Sequence, residues 1–196
     1  MILPIVAYGD PVLRKVSKEI DQEYRDLKQL IEHMWETMYG SHGVGLAAPQ
    51  IGKAIRLFVI DAAPFAEDED LSQEEQSQLK AAKMVFINAK IIEESGVEWS
   101  FNEGCLSIPD VREEVMRKST ITVEYQDENF VKKTEVFDGV LARVIQHEYD
   151  HIEGILFTDK LSPLKKRMLK GKLSNISKGK IQVDYKMRFP ELKKRR

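Results

Sequence analysis

The sequence predicts an α+β fold, in which antiparallel β-sheets surround one central buried helix and another helix lies near the C-terminus. Residues 84–137 form a succession of β-like segments, and helical patterns stand on both sides of them. The chain has 196 residues, of which 42% are hydrophobic. This composition is sufficient for one well-formed core, so we expect residues 1–196 to fold as a single domain.

Four segments are predicted to be helical. Residues 24–39 carry apolar side chains at helical spacing, and Gly40 is the predicted stop. A short helix is expected near 73–82. A third helix is expected at 138–154, and it should be buried because the residues at its start are mostly apolar. The last predicted helix runs from 163 to about 177.

Strands are predicted from short runs of apolar and β-branched residues between turn signals. The residues at 127–129 have the composition of a hairpin turn, and 181–185 is predicted to be a closing strand. The glycine-rich stretch 43–52 is predicted to be irregular, because glycine there lets the backbone approach a ligand or another segment closely. The predicted strands are 56–60, 84–92, 97–101, 111–117, 121–125, 130–137 and 181–185.

Charge is distributed unevenly along the chain, although the net charge is only −2. Residues 67–70 are four consecutive acids, and they lie in an acidic stretch at about 62–83 that is predicted to be a solvated insertion. Residues from about 163 to 196 form a basic C-terminal segment. That segment is suited to contact with phosphate groups, and a solvated helix face is the alternative.

The single cysteine, Cys105, excludes an internal disulfide and suits a reducing compartment. The N-terminal residues lack the basic start and the uninterrupted apolar run of a signal peptide. No stretch approaches the roughly 20 apolar residues that are needed to span a bilayer. We therefore expect a soluble, cytoplasmic protein.

Two histidines, His147 and His151, stand four residues apart in the helix predicted to be buried. Residues at this spacing project from the same face, with Cα atoms roughly 6 Å apart. Two imidazoles can therefore share one metal ion, and Glu148 can act on a metal-bound water. The alternative is a polar helix facing solvent, but the apolar residues before His147 argue against it, since buried His and Glu need partners.

Two histidines leave a metal ion short of a ligand. In the metzincin pattern a glycine and then a histidine follow, but here Gly154 is followed by Phe157 at the histidine position. The thiolate of Cys105 is a strong ligand for zinc or ferrous iron. A small buried apolar side chain is the usual role of a lone cysteine, but the incomplete ligand set favours coordination.

Three segments in this order resemble the peptide deformylases. They are a glycine-rich loop ending in glutamine at 43–50, the EGCLS segment at 103–107 and the QHEYDH segment at 146–151. The resemblance runs from residue 1 to about 157. The sequence departs from the family pattern in the acidic insertion, in the basic C-terminal segment and at Arg143, where an apolar residue is expected near a pocket.

The resemblance implies a hydrolase that removes the N-terminal formyl group from newly synthesised polypeptides beginning with formyl-methionine. A metal-bound water would be the nucleophile, and Glu148 would act as general base and then as general acid. The side-chain amide of Gln50 and the backbone N–H of Leu106 would stabilise the oxyanion. The implied metal ligands are Cys105, His147 and His151.

The implied peptide contacts extend from the glycine-rich loop to the EGCLS segment. Backbone groups of both would bind the peptide as an added strand, and Val44 and Val144 would line the methionine pocket. Arg112 would hold the peptide further along, and Glu103 is better suited to support the site as a buried carboxylate. The candidate substrate-binding residues are Gly43, Val44, Gly45, Glu103, Arg112 and Val144.

The family commonly works with ferrous iron, so we expect Fe²⁺ in the cell and allow Zn²⁺ or Ni²⁺ in purified protein. The expected partners are N-formyl-methionyl nascent peptides and, transiently, the ribosome through the basic C-terminal segment; no membrane and no DNA are expected. Two other functions remain open. One is a zinc endopeptidase, the commonest meaning of HExxH, and the other is a non-catalytic RNA- or ribosome-binding protein.

Overall fold

The computed structural model describes residues 1–190, so the last six residues of the basic C-terminal segment lie outside the described part. The described residues form four α-helices, seven β-strands and short 3-10 helices. The helices are α1 (Leu27–Gly40), α2 (Gln73–Ala81), α3 (Gly139–Ile152) and α4 (Pro163–Ser177). The strands are β1 (Ile5–Val6), β2 (Gly45–Ala47), β3 (Leu57–Asp61), β4 (Lys83–Cys105), β5 (Ile108–Gln126), β6 (Lys132–Asp138) and β7 (Met187–Arg188).

Five strands form one antiparallel sheet in the order β2-β3-β4-β5-β6, and β1 pairs with β7 in a separate two-stranded parallel sheet. Helix α3 packs against β2, β3, β5 and β6 of the larger sheet. The predicted α+β class, with antiparallel strands around a central helix, is therefore confirmed. No helix among residues 1–190 is long and apolar enough to cross a membrane.

Strands β4 and β5 form one long hairpin where the sequence predicts four shorter strands. The interruptions are shifts of register within continuous strands, including one between Ser95 and Glu98. Gly96 lies at that shift with φ of +76°, a conformation that glycine adopts without steric cost. The hairpin turns at Leu106 and Ser107, so Cys105 ends β4 directly beside the turn.

The predicted closing strand at 181–185 is wrong. The strand that forms is β7, in which Met187 pairs with Ile5 of β1. The short β1 offers only two residues for pairing, and its register selects 187–188. The glycine-rich stretch also contains more regular structure than predicted, because Gly45–Ala47 forms β2 and Ala48–Ile51 forms a 3-10 helix.

The acidic insertion at 62–83 contains the predicted short helix, as α2, and is less solvated than its composition predicts. Its four consecutive acids are exposed, but the segment also forms a 3-10 helix and α2, which begins with a capping box between Ser72 and Glu75. Ala66 and Leu79 are buried, and they pack with apolar residues at the start of α3. The insertion therefore packs against the protein as well as facing solvent.

An aromatic cluster fills the space between the sheet and α3. The ring of Phe86 is fully buried, and its centroid lies 4.7 Å from that of Phe58 and 4.4 Å from that of Tyr125. The cluster packs against Ile145 of α3, which lies two residues before His147. This packing fixes the distance between α3 and the five-stranded sheet.

We expect Phe86→Ala to lower the free energy of unfolding by about 3–5 kcal/mol, because it removes a fully buried ring and leaves a cavity. Urea denaturation monitored by circular dichroism measures the change. Val97→Ala is the control, since that side chain is 73% exposed and should change stability by less than about 0.5 kcal/mol. Equal losses in the two variants would contradict this account of the core.

Candidate active site

Three metal-ligating side chains meet where the end of β4 faces α3. One donor atom from each of Cys105, His147 and His151 lies within 4.8 Å of the other two. The Sγ of Cys105 is 3.2 Å from Nε2 of His151. The histidines lie on one face of α3 because they are four residues apart, and the hairpin turn places the cysteine opposite them. A thiol and two imidazoles at this spacing fit a divalent transition metal ion.

The ring of His147 is oriented by the buried carboxylate of Glu103. Its Nδ1–H donates to Oε2 of Glu103 at 2.9 Å, which leaves Nε2 free to bind a metal ion. Arg117 donates to both oxygens of that carboxylate, at 2.7 and 2.9 Å, and Arg143 donates to Oε1 at 3.1 Å. Glu103 is only 4% exposed, and both of its carboxylate oxygens accept hydrogen bonds from residues of the site. This carboxylate therefore supports the site from within the protein.

Burial disfavours the ionised form of Glu103, but the hydrogen bonds from His147 and Arg117 outweigh it. Together they hold the pKa of this carboxyl well below its usual range. Arg117 also donates to Asp150 at 2.6 Å, and Lys160 forms an ion pair with Asp150 at 3.3 Å. Asp150 is therefore linked to Glu103 through Arg117.

Glu148 points into the same region and has a contrasting environment. It is 4% exposed, and its Oε2 has no hydrogen-bond partner among the described residues. Burial raises the pKa of Glu148 to about 7. Gly45 passes so close that an added Cβ would lie 2.7 Å from Cδ of Glu148, which explains why glycine is needed in β2.

Gln50 is held with its amide nitrogen directed at the ligand cluster. Its Oε1 accepts from the backbone N–H of Ala47 at 2.8 Å, and its Nε2 lies 3.5 Å from Sγ of Cys105. The first hydrogen bond fixes which end of the amide faces the site. Leu106, whose backbone N–H is the other predicted oxyanion donor, follows Cys105 directly in the hairpin turn.

A cavity of about 810 Å³ opens beside these groups. The glycine-rich loop, Val44, Val144 and Arg112 all line it, as the sequence predicts for a peptide site. Arg112 is held by Asn102, to which its Nε and Nη2 donate at 2.8 Å each. The structure thus brings every predicted site residue except His151 to the wall of one cavity, and His151 lies buried beside Cys105. Their roles in binding and catalysis remain predictions.

The structure shows how Arg143, the residue that departs from the family pattern, fits beside the pocket. Its side chain is 1% exposed, and its guanidinium lies 4.6 Å from the ring centroid of Trp99. It donates to the backbone oxygens of Trp99 and Val115 as well as to Glu103. A charged residue is therefore accommodated in the cavity wall by hydrogen bonds and by stacking.

Sequence reasoning missed several residues of the site. Arg143 lies four residues before His147, and this spacing could have indicated that both side chains face the site. No such signal exists for Arg117, because its partners Glu103 and Asp150 are distant from it in the sequence. Phe65 of the acidic insertion lines the cavity and packs edge-on against Phe101, at 6.0 Å between centroids. The other missed lining residues include His42 and the C-terminal stretch Gln182, Val183, Asp184 and Tyr185.

Two curated relatives match the whole chain. Peptide deformylases from Christiangramia forsetii and Flavobacterium johnsoniae are each 65% identical to it over 196 residues, and each alignment covers all of both proteins. The acidic insertion and the basic C-terminal segment therefore lie inside the aligned length of these relatives.

Solved structures of peptide deformylases superpose closely on this fold. The Plasmodium falciparum enzyme gives a TM-score of 0.77 at 35% identity and covers 89% of this chain and 95% of its own. The Legionella pneumophila enzyme gives 0.76 at 37% identity, with 92% and 98% covered. The family model described as polypeptide deformylase matches residues 2–167. Sequence, fold and family model agree, and the chain therefore belongs to the polypeptide deformylase family of enzymes.

Proposed function

We propose that this enzyme removes the N-terminal formyl group from newly synthesised polypeptides that begin with formyl-methionine. One observation carries the proposal: the donor atoms of Cys105, His147 and His151 lie within 4.8 Å of one another at the edge of an open cavity. Glu148 and the amide of Gln50 reach the same place. These groups are what hydrolysis of a small amide requires.

Cys105, His147 and His151 would hold one divalent metal ion, and we infer Fe²⁺ as the ion in the cell. The mixed thiolate and imidazole donor set admits iron and zinc. When bound, such an ion supplies Lewis acidity at the formyl oxygen and lowers the pKa of a coordinated water to about 7. Glu103 supports the set by fixing the ring of His147 through Nδ1.

Glu148 moves the proton in both halves of the reaction. Its Oε2, which has no hydrogen-bond partner within residues 1–190, accepts a proton from the attacking water, and Glu148 then delivers that proton to the departing amine. Burial raises the pKa of this carboxyl to about 7, and a carboxyl with a raised pKa can take up a proton as well as release one. One carboxylate therefore suffices as base and acid.

Gln50 and Leu106 provide hydrogen bonds for the oxyanion that forms when the formyl carbon is attacked. The amide of Gln50 is preorganised, since its oxygen is held by Ala47 and its NH₂ faces the ligand cluster. The backbone N–H of Leu106 is placed by the two-residue turn of the hairpin. Fixed donors of this kind stabilise a developing negative charge without reorganising.

The peptide would lie along β2, which is the edge strand of the five-stranded sheet. Backbone groups of Gly43 and Gly45 would form hydrogen bonds with the peptide, in the way that a sheet edge binds an added strand. Val44 and Val144 would contact the methionine side chain, while the guanidinium of Arg112 would hold the peptide further along.

A deformylase and a zinc endopeptidase differ in the bond they cleave. We expect the protein to release formate from formyl-Met-Ala-Ser, to leave acetyl-Met-Ala-Ser intact and to spare internal peptide bonds. Formate release and mass spectrometry of the products measure these activities. Cleavage of an internal bond without formate release would contradict the proposal and support the peptidase.

Substitutions of Glu148 and Cys105 separate proton transfer from metal binding. We expect Glu148→Gln to retain the metal ion and to lower kcat by about 10²- to 10⁴-fold, the usual contribution of a positioned base. Cys105→Ala should instead lose most of the metal, and Glu124→Gln, an exposed position on β5, should do neither.

Elemental analysis of the anaerobically purified proteins, together with the formate assay, measures both effects. Near-normal turnover in Glu148→Gln would contradict its role as the base. Iron should be the ion in the unsubstituted protein after anaerobic purification, and failure of Fe²⁺ to support formate release by the metal-depleted protein would contradict that assignment.

We further propose that the basic C-terminal segment brings the enzyme to ribosomes in the cytoplasm. Exposed lysines and an arginine on α4 support contact with phosphates, and such contact weakens with salt. At low salt the intact chain should co-sediment with ribosomes, and a variant with alanine at Lys166, Arg167, Lys170 and Lys172 should not. Equal co-sedimentation of both proteins, with equal formate release, would contradict the proposal.

A further inference from the structure

The C-terminal stretch 182–185 forms part of the wall of the active-site cavity. Gln182, Val183, Asp184 and Tyr185 all line it, although they lie beyond the segments that resemble the family motifs. The stretch is held in place by the residues that follow it. The backbone N–H of Ile5 donates to the oxygen of Lys186 at 2.8 Å, and β7 then pairs with β1.

Tyr185 makes a polar contact between this stretch and the turn at Leu106 and Ser107 that joins β4 to β5. Its hydroxyl donates a hydrogen bond of 2.8 Å to the backbone oxygen of Leu106. The Tyr185 side chain is half-buried, so the bond is partly protected from exchange with water. The acceptor belongs to the residue whose own N–H is the proposed oxyanion donor.

Leu106 needs support because it lies in a two-residue turn and not in a strand. The glycine-rich loop approaches the side chain of Leu106, where a Cβ added to Gly43 would be 2.8 Å from Cδ1. Tyr185 holds the backbone of the same residue. Contacts on both its side chain and its carbonyl therefore restrict rotation of the turn, and with it the direction of the N–H.

We propose that Tyr185 is a positioning residue for deformylation, which aligns the backbone N–H of Leu106 with the oxyanion through the Leu106 carbonyl. The inference rests on the proposed function, since it assumes that this N–H donates in the transition state. It makes the C-terminal stretch a component of the active site. A hydrogen bond that acts only on the oxyanion affects kcat and leaves KM unchanged.

The test compares Tyr185→Phe with Tyr125→Phe, a matched control that loses a hydroxyl bonded to Glu135 at 2.7 Å outside the cavity. We expect Tyr185→Phe to lower kcat by about 2- to 10-fold, as for loss of one ordinary hydrogen bond, with KM within about twofold of the original. Tyr125→Phe should leave both constants unchanged. Both variants should show small changes in Tm, so stability does not account for the difference.

Gln50→Ala provides a comparison for the size of the effect on kcat. Removal of a direct oxyanion donor is expected to lower kcat by about 10²- to 10³-fold, more than the loss expected for Tyr185→Phe. Tyr185→Phe with an unchanged kcat, or with a raised KM at unchanged kcat, would overturn the positioning role. A loss of kcat in Tyr125→Phe equal to that in Tyr185→Phe would overturn it too. Absence of formate release by the unsubstituted enzyme would instead overturn the proposed function, so the two failures are distinguishable.

Discussion

The buried carboxylate of Glu103 is the interaction on which the site depends. It joins Arg117 of β5 to Arg143 and His147 of α3, so one charged group connects the long hairpin to the helix. A buried ion pair contributes little net stability, but loss of one partner leaves a charge unpaired at a cost of about 3–5 kcal/mol. The three donors therefore fix the relative position of the hairpin and the helix.

That connection also determines where the metal ligands meet. Glu103 and Cys105 are two residues apart near the end of β4, and both side chains reach α3, although the register of the hairpin shifts between Gly104 and Cys105. The carboxylate is hydrogen-bonded to His147 while the cysteine sulfur lies beside His151. The same strand segment thus orients one histidine and supplies the third donor, and a change of register there would disturb both functions together.

The parts of the site that the sequence predicts are those whose geometry is local. The four-residue spacing of His147 and His151 defines a helix face without knowledge of the fold, and Cys105 follows from the missing ligand. Arg117 and Tyr185 could not be predicted in this way. Arg117 reaches Glu103 through the pairing of β4 with β5, which includes several register shifts, and Tyr185 is placed beside Leu106 by the pairing of β7 with β1.

Two glutamates of similar burial show how environment divides the chemistry. Glu103 and Glu148 are each 4% exposed. The first accepts hydrogen bonds from three side chains and stays ionised, which suits a fixed support for a ligand. The second retains an oxygen without a partner among residues 1–190, and its burial raises the pKa of the carboxyl to about 7. An unsatisfied buried oxygen costs stability, and catalytic sites are where such a cost is tolerated, since the free oxygen is the one that can receive a proton.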